Sequence, residues 1–196
     1  MSRLAPPLLA ENYLDVLALQ KKPTNIVAFY RTILQKSEKK LRSSFNKDSN
    51  VVDLVRTRAW YVEQILLALW QENQLGAKLA LVAVGGFGRG DLHPYSDVDI
   101  LLLKPNNTKK YDVAISQFIQ NLWDIGLDIG SAVRTAKECY EQARDDVTIA
   151  TNLMEALYIF SNKILFATIQ ISVSTRKIWS AQDFYQAKIS EQKARH

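Results

Sequence analysis

Between Leu79 and Lys104 the chain reads LALVAVGGFGRGDLHPYSDVDILLLK, and this stretch sets two carboxylates where buried strands rarely tolerate them. Leu79 to Val84 contains no polar residue, as expected of a short strand covered on both faces. A loop follows Gly85 and Gly86, and the chain enters a second apolar run in which Asp97 and Asp99 alternate ahead of Ile100, Leu101, Leu102 and Leu103. An unpaired carboxylate in apolar surroundings is costly or is driven to neutralise. Residues i and i+2 of a strand face one side, so the two acids point together with β-carbons roughly 7 Å apart. Such a pair calls for a cation, and a divalent metal with hard oxygen ligands is the simplest.

A chain of 196 residues holds one sizeable core, or a compact domain with a helical appendage. A single cysteine, Cys139, excludes an internal disulfide framework and fits a reducing compartment. No apolar run approaches the roughly 20 residues of a membrane span. The start, MSRLAPPLLAENYLDVL, is a poor signal-peptide core because two prolines interrupt it and Glu11 and Asp15 follow. A cytoplasmic protein with no membrane partner is expected. Eight basic residues between Arg31 and Arg58 stand against Glu38, Asp48 and Asp53, which accounts for the net charge of +5. A solvated helix face explains that segment; contact with nucleic acid or an acidic partner is the other reading.

The pattern divides the chain into a helical region at 1–76, a sheet core at 77–135 and a helical part of the same domain at 136–196. Residues 8–20 have helical spacing, Pro23 stops them, and Thr24 or Asn25 can cap the next helix. That helix runs from Ile26 to Phe45, with an apolar stripe opposite lysines and serines. NKDSN at 46–50 reads as a turn, and a further helix through Val55, Val62 and Leu69 closes near Gly76. After the two acids, PNNT at 105–108 marks a turn, Tyr111 to Leu122 a helix, and LDIGSAVRT (127–135) a strand. Helical patterns follow at Ala136–Ala143, from Asp145 to about Phe160, at Lys163–Ile169 and after Ser180. The last is still helical where the sequence stops, as in a chain cut from a longer protein. The fold class is α+β, mostly helical, with a small mixed sheet. Trp60, Trp70, Trp123 and Trp179 are expected in the core.

Glycines between a strand and a loop let backbone N–H groups approach a ligand closely. If the next residues turn helically, those amides suit phosphate. Arg89 can add a guanidinium and Ser96 a hydroxyl. The competing reading is a tight turn in which glycine only satisfies dihedral angles. Combined with the acids, the glycines favour metal-dependent nucleotidyl transfer, in which two ions about 4 Å apart activate an attacking oxygen and stabilise the leaving pyrophosphate. A third carboxylate is then needed. Asp128, flanked by Leu127 and Ile129, is the choice, as metal ligand or general base. Asp124 is the competitor. Arg134 can contact phosphate or fix Asp128. His93 has no second histidine near it and reads as a loop or substrate-gating residue.

The glycine pair, the acid-x-acid strand and the third acid resemble the DNA polymerase beta-like nucleotidyltransferase superfamily. More narrowly, VAVGGFGRGDLHPYSDVDILLL, WDIGLDIGSAVRT, ATNLMEA and KISEQKARH are similar to the N-terminal domain of the bifunctional uridylyltransferase/uridylyl-removing family that modifies the nitrogen-regulatory protein PII. The resemblance implies transfer of UMP from UTP to a tyrosine hydroxyl of PII, with magnesium or manganese. Gly85 and Gly86 would then hold the triphosphate, Asp97 and Asp99 the metals, and Asp128 the third acidic role. The superfamily often has Gly-Ser where this chain has Gly85-Gly86, so backbone amides or Ser96 must supply what that hydroxyl does. The family's hydrolase and small-molecule sensing domains do not fit a chain whose histidines are His93 and His196, so only the transferase half, without glutamine control, is expected here. The rivals are adenylyl transfer to protein, RNA or a small molecule, and a non-catalytic helical module that binds PII or nucleic acid through its basic segment.

Overall fold

The computed structural model describes residues 12–21, 23–45, 50–105, 109–174 and 178–194. Its described strands are β1 (Ala80–Ala83), β2 (Val98–Leu103), β3 (Ile129–Arg134) and β4 (Leu157–Ser161), in the order β3-β2-β1-β4. β1 is antiparallel to β2 and β4, while β2 and β3 run parallel, so the sheet is mixed as expected. The helices are α1 (Ile26–Ser43), α2 (Val51–Glu72), α3 (Gly85–Gly88), α4 (Asp112–Asp124), α5 (Ala136–Asp145), α6 (Val147–Met154), α7 (Lys163–Ser172) and α8 (Ala181–Ala194).

Strand alternation explains the layering. Leu81, Ala83, Val98, Ile100 and Leu102 join a core with Tyr30 and Leu34 of α1, Leu66 and Leu69 of α2, and Phe118 and Leu122 of α4. Ala80, Val82, Leu101 and Leu103 join a second core with Cys139, Ala143, Ala150, Leu153 and Ile169 from α5, α6 and α7. Helices cover both faces, which is why β1 and β2 read as continuous apolar runs. Asp97 and Asp99 alternate in phase with Leu101, and so open onto the α5–α7 side at the mouth of that core.

The helix starts follow their caps. Asn25 accepts from the Ala28 amide at 2.9 Å and starts α1; Asn50 accepts from Val52 at 3.1 Å and starts α2. Residues 46–49 of the expected NKDSN turn and 106–108 of the PNNT turn lie outside the described residues. α2 ends at Glu72, ahead of Gly76. Three expectations need correction. Of the helix expected over 8–20, residues 8–11 lie outside the described residues, and the rest holds no α-helix but a 3-10 turn at Ala18–Gln20. There Asp15 Oδ1 accepts from the amides of Leu17 (3.0 Å) and Ala18 (3.2 Å), a local bond that competes with a continuous helix. The helix expected to reach Phe160 stops at Met154, and Leu157–Ser161 pairs with β1 instead. Asp145 closes α5, while Asp146 caps α6 by accepting from Thr148 at 2.7 Å and Ile149 at 3.3 Å. Lastly, Trp60 and Trp70 are buried, but Trp123 is 52% exposed. Trp179 is partly buried and donates its ring N–H to Ala143 O at 2.8 Å. Among the described residues no helix is long and apolar enough to cross a membrane.

Candidate active site

β1 delivers the chain to Val84, whose amide donates to Asp99 O at 3.1 Å and so ties the glycine turn to the acid-bearing strand. Gly85 then takes φ +60, and a Cβ there would stand 2.8 Å from Asp99 Oδ2. Glycine is required twice over, by conformation and by close approach. The expected helical turn is α3, whose first internal bond runs from the Gly88 amide to Val84 O at 3.0 Å. The amides of Gly85, Gly86 and Phe87 precede that bond, as the first donors of a helix do.

Asp97 is exposed just ahead of β2, and Asp99 is half-buried within it. The register sets Gly130 of β3 opposite Asp99. A Cβ at Gly130 would overlap Asp99 Oδ1, so this carboxylate leans across β3 through the space an absent side chain leaves. Glycine therefore flanks it on both sides. Burial, and secondarily the charge of Asp97, hold the Asp99 carboxyl above the usual carboxylate range. A cation at this pair would relieve both causes.

Asp128 lies one residue ahead of β3, where its carbonyl accepts from the Val98 amide at 2.8 Å, and it is exposed. Continuing the register places it beside Asp97 on the same face. Among the described residues no three acidic, histidine or cysteine side chains converge on a possible metal position, so the built pair is Asp97 and Asp99. The competitor Asp124 is engaged on α4, where its carboxylate accepts from Gln120 at 2.9 Å and its carbonyl from Arg31.

The remaining sequence candidates are dispersed around this pair. Arg89 leaves the glycine turn and pairs with Glu155 at 2.7 Å, joining GGFGRG to ATNLMEA. The Ser96 hydroxyl donates to His93 O at 2.8 Å, so its proton serves the loop. His93 itself is exposed. Arg134 ends β3, six residues from Asp128, which by strand rise is roughly 20 Å and too far to fix that carboxylate. Arg134, Asp99, Gly130, Ser131 and Asn152 share the lining of a cavity of about 320 Å³ between the sheet and α6. Asn152 is a polar residue at this site that the sequence reading did not single out, although it stands in the ATNLMEA segment.

A second missed residue is Arg58. It is 7% exposed, and it donates from Nε to Glu38 at 2.9 Å and from Nη1 to His93 O at 2.6 Å and Ser96 O at 3.3 Å. It thus holds both ends of the turn that delivers Asp97. Tyr95 within that turn has φ +66, and the Arg42 guanidinium lies 4.9 Å from its ring centroid. The reading of the 31–58 segment as a solvated face is corrected at Arg58, which is buried, while Arg31 and Arg42 are exposed as that reading expects. The signal was present: Arg58 lies four residues from both Leu54 and Val62, on the buried stripe of α2. Replacing Arg58 with Met is expected to destabilise by about 3 kcal/mol, because the partly buried Glu38 carboxylate and the carbonyls of His93 and Ser96 lose their partner. Thermal unfolding should show a loss of roughly 10 °C; an unchanged midpoint would contradict the clamp.

The sequence profile of a nucleotidyltransferase domain matches residues 62–157, a span that contains the glycine turn and Asp97, Asp99 and Asp128. Residues 62–157 form a nucleotidyltransferase domain. Around that domain the chain is 41% identical over 183 residues to a bifunctional uridylyltransferase/uridylyl-removing enzyme of Stutzerimonas stutzeri, covering 92% of this chain and 20% of that protein. The same named enzyme of Pseudomonas entomophila is 44% identical over 183 residues, with the same coverage. That of Aliivibrio fischeri is 40% identical over 187 residues, covering 94% of this chain and 21% of the relative. The chain therefore spans about a fifth of the length of the curated relatives it matches. Its small mixed sheet under helices is the α+β fold expected from the sequence.

Proposed function

We propose that this chain transfers UMP from UTP to a tyrosine hydroxyl of a PII-type regulatory protein, releasing pyrophosphate in the cytoplasm. The observation that carries the reading is the Asp97–Asp99 pair, with the Asp99 carboxylate seated between Gly85 and Gly130 beside the glycine turn. The relatives' printed names support uridylyl transfer in particular. Two hard carboxylates with open space around one of them fit magnesium or manganese, since magnesium takes only one or two protein carboxylates and completes its shell with phosphate and water. Asp97 and Asp99 would hold such an ion, the exposed Asp128 side chain would turn in as a third ligand or serve as general base, and the ion would neutralise charge at the reacting phosphate.

The chain's own groups have separable tasks. Backbone amides of Gly85, Gly86 and Phe87 receive the triphosphate, in place of the serine hydroxyl common in the superfamily. Arg89 and Arg134 are the cations near enough to contribute, Arg89 by exchanging Glu155 for phosphate. Ser96 acts through the turn it closes. The acceptor oxygen attacks the α-phosphorus as the bond to the bridging α–β oxygen breaks, and pyrophosphate leaves with that electron pair. Asp128 takes the hydroxyl proton, or the proton passes to water.

A panel of labelled nucleotides tests the reading. Label from UTP should appear on a PII-type acceptor at least about 10-fold faster than label from ATP, GTP or CTP, a difference of about 1.4 kcal/mol in the barrier. Preferred transfer from ATP would replace uridylyl with adenylyl chemistry.

A further inference from the structure

Among the described residues, the order β3-β2-β1-β4 leaves β3 with a neighbour on one side only. In a parallel pair, alternate residues turn both backbone groups toward the neighbour. Asp128 O bonds Val98 and Arg134 O bonds Lys104, which fixes 128, 130, 132 and 134 as the inward set. Ile129, Ser131 and Val133 consequently turn N–H and C=O to the open edge. Among the described residues only the ring N–H of Trp123 approaches that edge, 3.5 Å from Ile129 O. Trp123 is itself half exposed, and Ser131 is exposed. An open edge with alternate free donors and acceptors is a template for an added strand.

What distinguishes this edge is its position beside the acids. Side-chain positions of the inward set share a face with Asp99, and the one opposite Asp99 is the bare Gly130. The Asp99 carboxylate already leans over Gly130 toward the edge. A residue of an added strand opposite Gly130 would stand one further strand spacing, roughly 4.8 Å, beyond it. A long side chain from there crosses Gly130 unobstructed and brings its terminal hydroxyl to the carboxylate.

We propose that the open edge of β3 docks the acceptor as an extended polypeptide segment, paired through Ser131 and Val133, with its hydroxyl-bearing residue opposite Gly130. This rests on the reading of the chain as a protein-modifying transferase. It goes beyond that reading by specifying a backbone-paired partner and the register that brings its hydroxyl to Asp99. Recognition is then carried largely by main-chain hydrogen bonds, and the residue opposite Gly130 is the one modified.

Ser131→Pro tests the dock, because it removes an outward N–H and leaves the inward β2 ladder intact, a position that proline tolerates. With the whole chain, labelled UTP and a PII-type protein as acceptor, Ser131→Pro should raise the acceptor KM at least about 10-fold, the effect of losing one or two backbone bonds. The thermal midpoint should stay unchanged, which separates a lost dock from a lost fold. An unchanged acceptor KM in a folded Ser131→Pro chain overturns the dock and leaves the transferase reading standing. If that variant does not fold, acceptor peptides N-methylated at one or the other alternate set of residues decide with the unaltered chain. Loss of modification from only one set supports the dock, and equal behaviour overturns it. No transfer from UTP to any acceptor by the unaltered chain would overturn the transferase reading, and the dock with it.

Discussion

Asp97→Asn and Asp99→Asn, singly or together, should reduce uridylyl transfer by about 10³-fold or more, equivalent to about 4 kcal/mol of barrier. Asparagine keeps the volume and loses the charge, so the sheet should remain intact while cation affinity collapses. Stability makes the prediction sharper. Because burial and Asp97 raise the Asp99 pKa in the folded protein, the folded state holds that proton more tightly than the unfolded chain does. The resulting stability is fully present below the ordinary carboxylate value and is lost as pH rises through the raised folded value. At pH 7 without divalent cation, Asp99→Asn should therefore melt slightly higher than the unaltered chain, by roughly 1–2 °C once solvent screening of this half-exposed group is allowed for. Added magnesium or manganese should stabilise the unaltered chain and leave the double variant unmoved. Differential scanning calorimetry across pH 4–8 reads both effects. Retained transfer by the double variant would instead favour a module whose function does not need the acids.

Gly130→Ala should be nearly as damaging to activity and mild in stability. The added methyl falls on Asp99 Oδ1, the mobile end of a side chain, so the carboxylate can swing away without unfolding the strand. Ordinarily alanine would be preferred to glycine in a strand, by about 0.5–1 kcal/mol. Here that gain offsets part of the cost of displacing Asp99. A fall in kcat of about 10²-fold with a thermal midpoint within roughly 3 °C is expected, since misplacing a reacting group by about 1 Å has that effect. Steady-state kinetics with UTP and the acceptor varied in turn would show it. Wild-type kcat would mean that the Asp99 position over Gly130 is unimportant.

The two acids were legible because nothing apolar accounts for them, and the glycine pair because it interrupts an apolar run at a strand end. Gly130 was not legible: its role depends on which residue of β2 lies opposite, and cross-strand register is a long-range fact. β4 was missed because Leu157 to Phe160 is a short apolar run at the end of a helical pattern, where periodicity does not separate strand from helix. The pairing with β1 decides it. Arg58 lay on the buried stripe of its helix, yet its charge alone suggested a solvated face. Only the carbonyls of His93 and Ser96, brought over by the loop, explain a buried guanidinium there. Asp128 was found by its apolar neighbours, Leu127 and Ile129, although it proved to precede its strand and to be exposed.

The most direct measurement is a crystal structure of the chain with manganese and a non-hydrolysable UTP analogue, with the metal located by its anomalous signal. The expected result is manganese within ligand distance of both Asp97 and Asp99, about 2.2 Å, with the triphosphate on the amides of Gly85, Gly86 and Phe87. Manganese bound elsewhere, or a triphosphate seated away from the glycine turn, would contradict the assignment of this site.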